Sequence, residues 1–441
     1  LQILFEVMSG HGNSEEYRPW RALIEDNQGE LSCPKPSKDY LPSCWRAGQI
    51  IEERCIDNGF SESECSIRAE EARQNYAAMG VAGHLTVPGV EIEDWLDSGQ
   101  CRDCFIPSFN YRPAGSAQYG LAISNFDQNK PIRFNFGFIA SSDNHRARPG
   151  TGYKEINRFV TTEANGPSDE FIGDILYPVE QPTDRSIDLR EQPLLGLRTG
   201  FGSFEAEREA SFFTTGGLAA VHSSGRDRNS IWEGLRNKET YGTSGDRILL
   251  WFDLVQGETI SPMGSTVTQT SNPVFRIKAV GAFEQKPGCP DYSATNITQE
   301  HLERICKNEC YNPSDRRKNI SKIEVVKITP QITQNEPLES LIKDTWKTFE
   351  CKPSQEGCEV EFYDPEFQSD GRDSIYYVRA IQEPSPVING GNLRCSYDEN
   401  GECIKVNICY GDSRTDKDDD CLSLSEERAW SSPIYINFSQ I

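Results

Sequence analysis

Asp143 and His145 are the residues best suited to chemistry in this chain. An Asp-x-His spacing puts a carboxylate and an imidazole on the same face of an extended segment. That donor pair suits zinc, manganese or iron. It follows the alternating run Ile132-Arg-Phe-Asn-Phe-Gly-Phe-Ile-Ala-Ser141, which predicts a strand. In α/β barrels, functional side chains collect where strands end. Arg146 and Arg148 come next, and beside a cation they would orient an anionic group such as phosphate, as the catalytic arginines of the site. The bland alternatives are a hydrogen-bonded loop aspartate with an unrelated histidine, and two solvated arginines.

Only five histidines are present, too few for a self-contained multi-histidine centre. His11 lies in the Gly-rich turn Ser9-Gly-His-Gly-Asn-Ser14 and is a candidate site residue. His222 closes the short buried run Gly216–His222 and is a second candidate. His84 sits among cysteines and reads as structural, and His301 sits on a polar helical stretch and reads as surface. No G-x-S-x-G, no P-loop and no dinucleotide-binding glycine pattern occurs. Asp416-x-Asp418-x-Asp420, with Glu427 further on, echoes a calcium loop, but Cys421 stands where the turn glycine belongs.

The elements that must position these residues are legible in outline. Leu1–Val7 predicts a buried strand. Residues 30–105 predict a helical, cysteine-stapled insertion, in which Cys44 and Cys55 would face the same way on one helix. Ser61-Glu-Ser-Glu64 is a capping-box signal; Ala69, Ala72, Tyr76 and Met79 continue a helical stripe that Gly80 ends. A helix is expected across residues 112–124 and another across 228–239, with irregular Gly- and Pro-rich chain over 150–215. From Arg247 onward the runs 248–254, 273–280, 323–328, 375–380 and 433–437 predict short strands of an antiparallel sandwich.

Composition narrows the setting. The 441 residues exceed one ordinary core and suggest two or three domains. No apolar run is long enough for a membrane span. A net charge of −23 repels nucleic-acid phosphates and anionic lipid, so neither is expected as a partner. Fifteen cysteines without zinc-finger spacing predict disulfides in an oxidising compartment, the periplasm or the cell exterior. The count is odd, so at least one cysteine is unpaired or pairs outside the chain. A strand at the first residue, with no leader to account for export, suggests that the chain begins inside a domain.

The run Ile139-Ala-Ser-Ser-Asp-Asn-His-Arg-Ala-Arg-Pro-Gly-Thr-Gly-Tyr153 resembles the last metal-binding motif of the PHP (polymerase and histidinol phosphatase) superfamily. More narrowly it is similar to a secreted bacterial branch of unknown function. Three further stretches fit that branch: Phe5–Glu15, Gly216–Ile248 and Glu427–Ile434. The resemblance implies a distorted (β/α) barrel with two or three divalent transition metals (zinc, manganese or iron), usually hydrolysing phosphoesters. It implies Asp143 and His145 as metal ligands, and it brings Glu6 and His11 in as possible site residues because they lie in a matching segment. The superfamily's opening H-x-H strand end and later T-D-H motif are missing and would belong upstream of Leu1, in an N-terminal segment that is cleaved, disordered or carried as a separate fragment of the same protein.

The expectation is therefore an α/β plus β protein. Residues 1–245 would form the C-terminal part of a PHP-type barrel carrying the 30–105 insertion, and 246–441 an antiparallel β-sandwich. The expected function is an exported metal-dependent hydrolase, a phosphoesterase acting on a small anionic substrate. The alternative is a non-catalytic secreted or cell-surface protein on a hydrolase-derived scaffold, in which homo-oligomer assembly would replace catalysis.

Overall fold

A computed structural model describes residues 2–108, 115–128, 131–144, 154–162, 167, 169, 171–173, 181–191 and 214–439. His145, Arg146 and Arg148 lie outside them.

The strands that matter are β1 (Leu4–Ser9), β2 (Gly137–Ala140), β3 (Leu218–Val221), β4 (Thr240–Thr243) and β5 (Leu249–Gln256). They continue with β6 (Thr259–Pro262), β7 (Thr266–Gln269), β8 (Val274–Val280), β9 (Ile320–Ile328) and β10 (Ile342–Glu350). Last come β11 (Cys358–Tyr363), β12 (Ser374–Gln382), β13 (Arg428–Ser431) and β14 (Ile434–Phe438).

Eight of these strands form one forked sheet. The nine-residue β12 is its spine. Along one side it pairs antiparallel with β9, which in turn pairs with β10. On its other side β14 takes one end and β13 the other. β14 leads to β7, in parallel, and β13 leads to β4 and β3. A four-stranded antiparallel sheet, in the order β11-β8-β5-β6, covers one face. β1 and β2, paired in parallel, cover the other together with α3 (Ala117–Ala122).

Alternation along the spine explains the layering. Tyr376, Val378 and Ala380 of β12 join Ile323 and Val325 of β9 against Phe252 and Phe275 of the four-stranded sheet. Ile375 and Tyr377 point the opposite way, with Val326, Ile328 and Trp430, onto Val7, Phe138 and Leu121. Every residue of β12 is buried, including Arg379. Its guanidinium reaches Glu15 at 2.6 Å and Glu324 at 3.2 Å, and also pairs with Asp344. Glu15 further accepts from the Tyr377 hydroxyl and the Trp430 indole. Burial outweighs these donors and pushes the Glu15 carboxyl up to about 7. On the opposite face, buried Lys327 meets buried Asp364 at 2.7 Å.

The expected barrel is not there among the described residues. None of their sheets closes on itself, and from β5 onward strand follows strand without the repeated strand–helix alternation that builds a (β/α) barrel. Apart from β1–β2 and β7–β14, the pairs among these strands are antiparallel. Nor is there a purely antiparallel C-terminal sandwich. The large sheet is mixed, and it takes β3 and β4 from before residue 246 as well as strands from after it. Short buried runs such as Gly137–Ala140 suit a parallel barrel strand or a mixed sheet equally well, so their pattern did not distinguish the two.

The helical insertion has its own small core. α1 (Ser43–Asp57) and α2 (Glu62–Met79) pack through Ala47, Ile50, Ile51 and Ala72, closed by Trp95. The Ser61 hydroxyl accepts from the Glu64 amide at 3.3 Å, as the capping signal predicts. Cys44 and Cys55 both lie on α1 and both are buried, but they bond outward, to Cys33 and Cys65. Seven disulfides form in all, and Cys306 is left free.

Candidate functional site

The carboxyl ends of β1 and β2 lie side by side because the two strands run parallel, with Leu4 opposite Gly137 and Met8 opposite Ala140. The register shifts between Glu6 and Met8, an irregularity of the kind that re-aims a strand end. Beyond β1 the chain turns through Gly10, His11 and Gly12, and beyond β2 it runs through Ser141, Ser142 and Asp143. Ser141 ties the two segments: its amide donates to the Met8 carbonyl at 3.0 Å and its hydroxyl to Glu6 at 2.8 Å.

A third segment locks them. The Thr214 amide donates to the Gly10 carbonyl at 2.8 Å, and the Gly217 amide to the Ser141 carbonyl at 2.6 Å. Gly216 has a φ of +77°, and a Cβ there would lie 2.6 Å from the Ser142 Cα and 2.9 Å from the Gly10 nitrogen. A Cβ on Gly217 would lie 2.5 Å from the Thr243 carbonyl oxygen. The Gly216-Gly217 pair is thus the place where three backbones touch.

His11 Nε2 lies 2.9 Å from Asp143 Oδ2. Asp143 itself sits in the left-handed region, at φ 54°. This conformation is uncommon outside glycine, and it recurs where surrounding structure over-determines a functional residue. Both side chains keep partial solvent access, 24% for His11 and 31% for Asp143. Glu6 completes the neighbourhood. Desolvation by the surrounding loops raises its pKa, the Ser141 hydroxyl opposes that, and the Asp143 charge raises it further.

Of the sequence-derived candidates, the structure brings together Glu6, His11 and Asp143. It commits His222 elsewhere: Nε2 sits 2.9 Å from the Leu250 carbonyl oxygen, and the ring packs near Tyr241 and Trp251. The Asp416–Asp420 loop caps its own backbone, with Asp416 and Asp420 accepting from the Asp418 and Leu422 amides. Glu427 faces away from it, accepting from the Ser244 hydroxyl and Asp246 amide, so no calcium loop forms.

The landmark around Glu427–Ile434 is positional. Ser431 accepts from the Val378 amide at 3.0 Å, Ser432 from the Phe138 amide at 2.8 Å, and Trp430 donates to Glu15. The Ser432 contact ties β2, and the Trp430 contact the segment after β1, to the large sheet. Ser141 was missed from sequence; as one of two serines before an aspartate it carries no signal of its own. Buried Glu155 was missed as well. It accepts from the Thr215 hydroxyl and the Ile388 amide, and burial pushes it up to about 7.

One imidazole and a carboxylate, with a second carboxylate in electrostatic contact, are the donor chemistry of a borderline divalent cation. Among the described residues, no third His, Cys, Asp or Glu donor joins His11 and Asp143 within 4.8 Å. Two donors are one fewer than catalytic zinc sites take from protein.

A family model matches residues 108–438, which include Asp143 and the Gly216-Gly217 lock but follow β1 and His11. That family is described as a protein of unknown function, DUF3604. No curated protein and no solved structure matches the chain. With three quarters of its length matched, this chain belongs to the DUF3604 family.

Proposed function

We propose that the protein is an exported metal-dependent hydrolase acting on phosphoesters, with chemistry of the polymerase-and-histidinol-phosphatase kind. The observation that supports this reading best is the 2.9 Å contact between His11 and Asp143 across the ends of two parallel strands. In this reading Asp143 and His145 hold the cation, His11 and Glu6 flank it, and Arg146 and Arg148 orient the substrate anion. The cation would be zinc, manganese or iron, and it would supply Lewis acidity and a water of lowered pKa. His11 orients the Asp143 carboxylate, and the Ser141 hydroxyl anchors Glu6 beside it. Seven disulfides fit an oxidising compartment, and the proposal places the protein in the periplasm or outside the cell. No described helix is long and apolar enough to cross a membrane.

The test is elemental analysis of natively purified protein, paired with a phosphomonoester and phosphodiester screen. Wild type should carry transition metal and hydrolyse at least one ester. Asp143→Ala should lose the metal and at least about a hundredfold of the rate. Full metal and full rate in Asp143→Ala would sink the assignment. The second reading, a non-catalytic surface protein, is favoured by one observation: among the described residues only two donors converge. A wild type free of metal, inactive even with metal added, would select it.

A further inference from the structure

Far from that site, three sulfurs meet at the end of one helix. α4 (Gln299–Cys306) finishes on the free Cys306. Lys307 and Asn308 both take positive φ, 54° and 62°, and their amides return to the Glu303 and Leu302 carbonyls. This reversal swings the following chain back over the helix end. Cys310 thereby lies with its sulfur 3.3 Å from that of Cys306, while it is bonded to Cys289. The Cys289 sulfur is 3.8 Å from Cys306. Every other disulfide here joins two cysteines that have no third sulfur beside them among the described residues.

Cys306 and Cys310 also line a cleft of about 420 Å³, walled by Tyr292, Ile297, Leu302 and Tyr311. That volume lies in the range of small-molecule sites. Cys289, Cys306 and Cys310 are each partly exposed, so the sulfurs are reached from solvent.

We propose that Cys289, Cys306 and Cys310 form a thiol–disulfide exchange site whose cleft admits a small organic thiol or its disulfide. The intramolecular step conserves oxidation state. Cys306 gives its proton to solvent, and its thiolate attacks the Cys310 sulfur. The Cys306–Cys310 bond forms, the Cys289–Cys310 bond breaks, and the electron pair leaves on Cys289, which takes up a proton. A free cysteine that lines the cleft, Cys306 at rest or Cys310 once Cys306 has instead bonded to Cys289, attacks a small disulfide there, forming one mixed disulfide and releasing one small thiol. Cys306 is nearly equidistant from the two bonded sulfurs, so it flanks their bond. In-line attack requires its side chain to swing, giving up the 3.0 Å hydrogen bond from its thiol to the Leu302 carbonyl. The resting thiol is thereby held quiet until it rotates. The exchange involves neither His11 nor Asp143 and stands whether or not the hydrolase reading does.

The experiment incubates the full oxidised chain with glutathione disulfide, quenches free thiols with N-ethylmaleimide, and maps every linkage by mass spectrometry. Wild type should show a Cys306–Cys310 or Cys289–Cys306 linkage beside Cys289–Cys310, and glutathione on one cysteine of the three, with the other six disulfides intact. Cys306→Ser should retain only Cys289–Cys310 and take no glutathione. Cys289→Ser keeps the test decisive should that variant misfold, because Cys306 and Cys310 should then bond to each other. Cys289–Cys310 as the sole linkage in wild type, with Cys306 fully alkylated or merely capped by glutathione, overturns the proposal. So does a Cys289→Ser chain in which Cys306 and Cys310 both stay reduced.

Discussion

Replacing Lys327 by methionine should cost the protein about 3 kcal/mol at neutral pH. Lys327 lies on β9 with 1% of its side chain exposed, and Asp364 opposite it has none exposed. Removing one member of such a pair leaves the other charge buried and uncompensated, which typically costs about 3–5 kcal/mol. The lower end applies because Asp364 retains two donors, the Tyr376 hydroxyl at 2.6 Å and the Glu366 amide at 2.9 Å. The second partner of Lys327, Asp370, is 44% exposed and loses little when the lysine goes. Methionine fills the space of the lysine stem, so the packing loss is small. About 3 kcal/mol lowers the folding equilibrium constant roughly a hundredfold. The loss reads out in urea unfolding followed by tryptophan fluorescence, since the Trp346 ring lies 5.4 Å from Lys327 Nζ. Asp364→Asn added to Lys327→Met should recover at least about 1 kcal/mol, because the stranded charge is gone. The pair holds the Asp364 pKa below the usual carboxylate value, against the desolvation that opposes it. A depressed carboxylate contributes stability above its unfolded pKa and loses it as pH falls through the folded one. The gap between wild type and Lys327→Met should therefore narrow below about pH 4. A single variant within about 0.5 kcal/mol of wild type, or a double variant no better than the single, refutes the reasoning.

Other expectations follow from the same structure. Burial pushes Glu155 up to about 7 and Glu427 up to about 8, in a cluster with Asp246 and Lys318. Carboxyls raised in the folded state stabilise it fully below their unfolded pKa and lose that contribution as pH rises through 7 and 8. The melting temperature should fall between pH 5 and 9, and Glu155→Gln with Glu427→Gln should flatten that fall; an unchanged slope in the double variant counts against it. Gly216→Ala puts a methyl 2.6 Å from the Ser142 Cα on a left-handed backbone, and should cost more than about 1 kcal/mol and loosen the His11–Asp143 contact. Proton NMR of the His11 ring checks the second half, and an unshifted resonance refutes it.

Much of the local structure was legible in the sequence. The strand predicted over Leu1–Val7 appears as β1 from Leu4, that over 433–437 is β14, and Ser61 caps α2 as its spacing requires. What is local in sequence is decided by propensity and spacing. The candidate site was legible only by halves. Asp143 could be singled out from its strand-end position, and His11 from its turn, but nothing in either segment says that β1 and β2 lie parallel and adjacent. Direction and neighbour are tertiary choices, which is also why the barrel expectation failed. Arg379 is the sharpest case. A charged residue in a strand reads as solvent-facing, yet its partner Glu15 lies 364 positions away and both are buried. The cysteines behaved likewise: spacing does not reveal that Cys310 bonds to Cys289, 21 positions away, and leaves Cys306 free.

The seven disulfides close loops between 3 and 21 positions long, whereas β1 waits for β2 and Glu15 waits for Arg379 and Trp430. Two kinds of closure therefore ripen at different moments as a chain emerges end first. Each cystine has its complete loop within one short stretch, and closing such a loop takes little entropy. The large sheet has no spine until β12 arrives and no middle until β13 and β14 slot in beside it. A nascent chain would be a string of small covalent knots with an unfinished fabric between them, exposing the apolar faces of β5 and β8 until the last strands are delivered.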